Sequence, residues 1–145
     1  MTAKEYLRQI GVLDAKINRR QKQVEELKLL ATSNGSVTAG DRVQSSPSPD
    51  KMSDIVARWV DMEEEITKMI DRLVDMKHRI IGEIHQLDDE RYIRILEMRY
   101  VDQETWEQIA VNMHYSMQHV IRIHGHALQE FTVRVMMSFN VNVSV

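Results

Sequence analysis

The chain has no cysteine, only two prolines and five glycines, and eight aromatic residues in 145. Without cysteine there are no disulfides and no thiolate metal sites, and nucleophilic cysteine chemistry is excluded. Both prolines, Pro47 and Pro49, fall in one short stretch, so the rest of the chain is free of the strongest helix breaker. No Gly-rich phosphate loop exists: Gly35 and Gly40 have no strand before them and no Lys-Ser/Thr after them. No apolar run approaches the length of a membrane span. Met1 to Leu13 carries charges throughout, so no secretory leader is expected. The absences together imply a helical, intracellular protein that is not an enzyme. Carboxylates are plentiful, but they lie on solvated faces, and no serine has a base positioned by a third group.

What is present is helical periodicity. On a heptad frame, Ala3, Tyr6, Ile10, Leu13, Ile17, Val24, Leu27 and Ala31 occupy a and d positions, with Arg20 the polar interruption. Met52, Ile55, Trp59, Met62, Ile66, Met69, Leu73, Met76, Ile80 and Leu87 continue the frame in a second segment, with Glu83 the exception. A helix over 3–31 would run about 43 Å and one over 52–86 about 52 Å. Neither stripe is stable alone, so each needs a partner. Ile10, Leu13, Ile17, Trp59, Met62, Ile66 and Leu73 are the expected pairing residues, within one chain or between two. Ile70, Val74, Ile81 and Ile84 widen the second stripe, which favours a dimeric bundle. Most of the ten methionines fall on core positions, where Met fills irregular gaps. Asp61 to Glu65 reads as a solvated face.

Between the segments, Thr32 to Lys51 (TSNGSVTAGDRVQSSPSPDK) has a composition that cannot bury a core and reads as a linker. The second helix can run on through Gln86 to Asp89 into a C-terminal unit over 88–137. There, acidic Asp88, Asp89 and Glu90 suit the first turn of a helix bearing Ile93, Leu96 and Tyr100. Val101 to Gln103 breaks it. Thr105 then starts a helix to Met113, with Gln108 three residues on as a capping box. A turn at Asn112 to Tyr115 leads to Ser116, which caps a helix whose buried stripe is Val120, Ile123, Ala127, Leu128 and Phe131. Trp106 reads as a core anchor. Three helices joined by short turns make a trihelical helix-turn-helix unit, the element that places one helix in the DNA major groove. The face left outside holds Ser116, Met117, Gln118, His119, Arg122 and His126, the expected DNA-contacting residues.

His114, His119, His124 and His126 cluster in sequence, but at spacings of five, five and two they do not match the i, i+3 or i, i+4 pairs of a helical metal site. No metal or other cofactor is expected. His119 and His126 read as neutral polar surface. Residues 1–31 hold seven Lys/Arg against four Asp/Glu, and residues 88–145 five against eight, so the DNA-binding half is the acidic one. Phe139 to Val145 (FNVNVSV) alternates as a strand does.

The run TWEQIA, turn, SxxxVxRIxxxAL resembles region 4 of bacterial sigma factors. Two outward positions that are basic in sigma factors hold Met117 and Ile121 here. With IVARWVDMEEEI, RYVDQETWEQIA and YSMQHVIRIHGHALQEF, the whole chain resembles small phage proteins of Gram-positive bacteria, including late-transcription regulators of the RinA and ArpU type. The resemblance implies a bacterial cytoplasmic regulator of phage or mobile-element genes that binds double-stranded DNA as a coiled-coil dimer, with contact to RNA polymerase open. The alternative is an assembly or DNA-packaging accessory that uses its helices to oligomerise.

Overall fold

The computed structural model describes residues 1–32 and 49–141, with side chains through Phe139. It is all-α, with no strand among the described residues. The elements are α1 (Ala3–Leu7), α2 (Gln9–Thr32), α3 (Pro49–Ile84), α4 (Glu90–Leu96), α5 (Trp106–Met113), α6 (Met117–Phe131) and α7 (Met137–Val141). Wider π-helical turns close α4 over Glu97–Val101 and α6 over Thr132–Met136. Among the described residues no helix is long and apolar enough to cross a membrane.

The chain forms two compact units, Asp14–Arg72 and Met1–Leu13 with Leu73–Val145. In the first, the 14–32 part of α2 and the 49–72 part of α3 pair antiparallel. Lys28 Nζ meets Glu63 Oε1 at 2.7 Å, and Gln21 and Val24 lie against Ile66 and Thr67, so the numbers run oppositely along the two helices. Ile17, Val24, Ala31, Ile66 and Met69 are buried, while Trp59 and Met62 are half-buried. The Lys28–Glu63 pair is half exposed and contributes little; apolar burial holds the helices together. Asp61 and Glu63 to Glu65 are exposed, as a solvated face requires.

In the second unit, Leu7, Ile10 and Leu13 from the chain's start are buried, as are Leu73, Ile80, Ile84 and Leu87, and Leu96, Phe131 and Val135 of the C-terminal helices. The Tyr6 and Phe131 rings lie 6.0 Å apart. Glu83, the exception in the heptad frame, is 8% exposed and accepts a 2.6 Å hydrogen bond from the Tyr6 hydroxyl. A buried carboxylate is costly without such a donor. Burial and the Glu83 carboxylate together push the Tyr6 phenol up to about 12. Of the expected pairing residues, Ile10, Leu13, Ile17, Ile66 and Leu73 are thus buried by one chain alone.

Several boundaries differ from the sequence expectation. The first helix breaks at Arg8, although its N–H still reaches Lys4 O at 3.0 Å. Pro49, Asp50 and Lys51 belong to α3 rather than to a linker, because proline suits a first helical position, where no N–H is needed; residues 33–48 lie outside the described residues. The second helix does not run on into the C-terminal unit. It stops at Ile84, and α4 starts afresh from Asp89, whose Oδ1 accepts from Arg91 N at 2.9 Å. Phe139 to Val141 are helical, not a strand. Alternation alone gives a strand no ladder partner, whereas a helix satisfies its own backbone; residues 142–145 lie outside the description. Ile70 and Val74 are exposed, so only part of the widened stripe is used within the chain.

Candidate nucleic-acid interface

The helix-turn-helix is built by local capping. Thr105 Oγ1 accepts from Gln108 N at 3.2 Å, and Gln108 Oε1 accepts from Thr105 N at 2.9 Å, a closed capping box. After Met113, His114 takes the left-handed conformation (φ 58°) that ends α5, and Tyr115 N reaches back to Ala110 O at 3.1 Å. Ser116 Oγ then accepts from His119 N at 3.2 Å and starts α6. The reversal takes three residues. Behind it, Ile95, Ile109, Ala110, Met113, Val120 and Ile123 form one core, lined by Tyr92, Met98, Trp106 and Tyr115. Ala110 stands where α5 and α6 come close, and a larger side chain would force them apart.

The outward face of α6 follows from its register, at about 100° per residue. Gln118, Arg122, Gly125 and Gln129 share its centre, and all four are exposed. Met117 and Ile121 form one flank, 40% and 51% exposed. His126 stands exposed on the other. The six residues expected on this face therefore divide. Met117, Gln118, Arg122 and His126 project openly. His119 is half-buried at the edge, its ring 4.6 Å from that of Tyr115 in an edge-on contact. Ser116 is exposed but uses its oxygen as the cap of α6.

Charge is distributed in a way the net count conceals. The C-terminal half carries eight carboxylates, yet none falls between Ser116 and Gln129. Four of the eight are engaged elsewhere: Asp88 and Glu130 both meet Arg134, Asp89 meets Arg91 at 2.9 Å, and Glu97 meets His85. Arg122 and the exposed Arg94 have no ion pair among the described residues. Arg134 is occupied by its two carboxylates. Arg99 donates to Glu104 O at 3.0 Å and lies 4.3 Å from the centre of the Trp106 ring. Trp106 packs against the core, as expected, and is half-buried with a guanidinium over its ring, a cation–π arrangement.

Two residues of α6 went unassigned by sequence reasoning. His124 is buried, 7% exposed, with Nε2 2.7 Å from the Tyr100 hydroxyl and its ring 4.7 Å from the Trp106 ring. Burial, helped by Lys4, Arg99 and Arg8 nearby, holds its pKa down at about 4. A neutral imidazole shares this hydrogen bond with Tyr100, and the polar pair is satisfied inside an apolar setting. The signal was available: His124 stands four residues after Val120 and three before Ala127, on the buried stripe. The second residue is Gly125. A Cβ built there meets nothing within 4 Å, and its φ is not positive, so neither packing nor conformation within the chain requires glycine. Mid-helix glycine costs about 1 kcal/mol relative to alanine. No other group suggests a metal site: among the described residues no three His, Cys, Asp or Glu side chains come together to hold one.

The fold and this face define an all-α protein with a C-terminal helix-turn-helix whose second helix presents an open, carboxylate-free side. The chain belongs to the family described as protein of unknown function (DUF1492), which it matches over residues 32–132. No curated protein and no solved structure matches it.

Proposed function

We propose that this protein is a sequence-specific DNA-binding regulator of phage or mobile-element genes, acting in the bacterial cytoplasm as a dimer and reading DNA with α6. The observation that carries this reading is the outward face of α6. It holds hydrogen-bonding Gln118 and Gln129, no carboxylate, and an Arg122 without an ion pair among the described residues. An otherwise acidic half that clears one helix face of negative charge suits contact with a polyanion. The resemblance to sigma region 4 and to RinA and ArpU type regulators points the same way. Contact with RNA polymerase would follow from the sigma likeness and is part of the proposal.

For the dimer, Ile10, Leu13, Ile17, Ile66 and Leu73 are already covered within one chain. A second copy would meet other residues, and exposed Val56, Val60 and Ile70 stand on α3 beside the seam. The same residues favour the second reading, an assembly or DNA-packaging accessory, which predicts higher oligomers and no preferred site.

The test is selection from random duplexes at low salt with the full chain, together with sedimentation. The proposal expects one enriched site and a dimer. Arg122→Ala should weaken binding about 5- to 150-fold, the 1–3 kcal/mol of a good arginine contact. Failure to enrich any duplex would sink it.

A further inference from the structure

We infer that Met117 and Ile121 read thymine methyl groups, so that the DNA site of this protein is A·T-rich where the N-terminal half of α6 enters the groove. The inference rests on the DNA-binding reading above and adds to it the identity of the bases.

Met117 and Ile121 are 40% and 51% exposed on a helix that buries Val120, Ile123 and Phe131 and leaves Leu128, expected in the buried stripe, only half-buried. Among the described residues Met117 and Ile121 both keep much of their surface open, although fully buried Val120 lies between them in sequence. They are one turn apart, about 6 Å along the axis. Successive base pairs rise about 3.4 Å, so the two side chains span roughly two steps of a duplex. In the major groove the only apolar group on any base edge is the 5-methyl of thymine, and apolar side chains are its natural contacts. Gln118, between them in sequence and at the centre of the face, matches the paired N6 and N7 of adenine. Gly125 continues the row 117, 121, 125. With no Cβ and nothing within 4 Å of where one would stand, it lets the helix approach the groove closely. The absence of carboxylates from the same face removes repulsion from flanking phosphates. One occupant satisfies all of these features: duplex DNA with thymines at two nearby positions.

The experiment uses the full chain and the duplex enriched in the selection above. Thymidines of the site are replaced one at a time by deoxyuridine, which removes the methyl and keeps base pairing. Loss of one contacted methyl should weaken binding about fourfold, and loss of two about 15-fold, from roughly 0.8 kcal/mol per buried methyl group. The Met117→Ala, Ile121→Ala variant has both changes on the surface. It should keep the unfolding midpoint of the parent and bind thymine and uracil duplexes equally. Indifference of the parent protein to uracil overturns the inference while leaving DNA binding intact. So does a variant that still discriminates, or one that loses self-association instead of base preference. Enrichment of no duplex at all overturns this inference and the DNA-binding reading together.

Discussion

Acidification should destabilise this protein through His124. The imidazole is buried on the inner side of α6 and has Lys4, Arg99 and Arg8 as its charged neighbours. All of these disfavour a proton, and the pKa falls from 6.5 to about 4. In the unfolded chain the ring takes up its proton near pH 6.5; in the folded chain it resists until about pH 4. The unfolded state therefore binds more protons across that window, and stability falls as pH drops through it. Above pH 6.5 the group costs nothing; below about 4 the full penalty is present. At about 1.4 kcal/mol per pH unit the whole window is worth about 3 kcal/mol, and the step from pH 6.5 to pH 5 about 2 kcal/mol. That is a large fraction of the 5–15 kcal/mol typical of a domain. With a urea slope of about 2 kcal/mol per molar, the midpoint should move down by about 1 M between pH 6.5 and pH 5. His124→Gln keeps an acceptor for Tyr100 and removes the titration, so the variant should lose that part of the pH slope. Equal slopes for the parent and His124→Gln between pH 6.5 and pH 4 would show that His124 does not set this pH dependence. So would an imidazole NMR signal at position 124 that titrates above pH 6.

Two further outcomes follow from packing. Tyr6→Phe strands the buried Glu83 carboxylate and should lower the unfolding free energy by about 1–3 kcal/mol; adding Glu83→Leu should return part of the loss in a double-mutant cycle, and full additivity would show that the pair is uncoupled. Phe131→Ala empties a fully buried site beside Tyr6 and should cost about 3–5 kcal/mol in the same urea assay; a loss under 1 kcal/mol would mean that α6 is not anchored there.

Much of this architecture could be read from residue spacing. The capping box at Thr105 and the cap at Ser116 are local signals, closed within three residues, and the structure places both where the sequence does. The apolar stripe of α6 was legible for the same reason, since helical register depends only on neighbours. What escaped was decided at longer range. The burial of His124 depends on Tyr100, 24 residues earlier, and the role of Glu83 on Tyr6, 77 residues away. The alternation in FNVNVSV suggested a strand because a pattern of period two says nothing about whether a second strand exists. Arg99 over Trp106 could not be anticipated from spacing either, because the π-helical turn at Glu97–Val101 sets how the following residues are presented. On the outward face of α6, the open side chains were readable from the wheel, whereas the open space around Gly125 shows only in the structure.

The Tyr6 ring against Phe131 makes the first dozen residues part of the same compact unit as α6. Deleting them would remove part of the packing behind α6. An excised piece starting at Asp88 would bare the seat that Tyr6 fills against Phe131 and would take Arg134 and Asp88 along without the scaffold beneath them. Conversely, a synthetic peptide of residues 1–32 mixed with 49–145 carries every described half of that seat. Reassembly of the two pieces into one folded particle is the behaviour such interleaving favours.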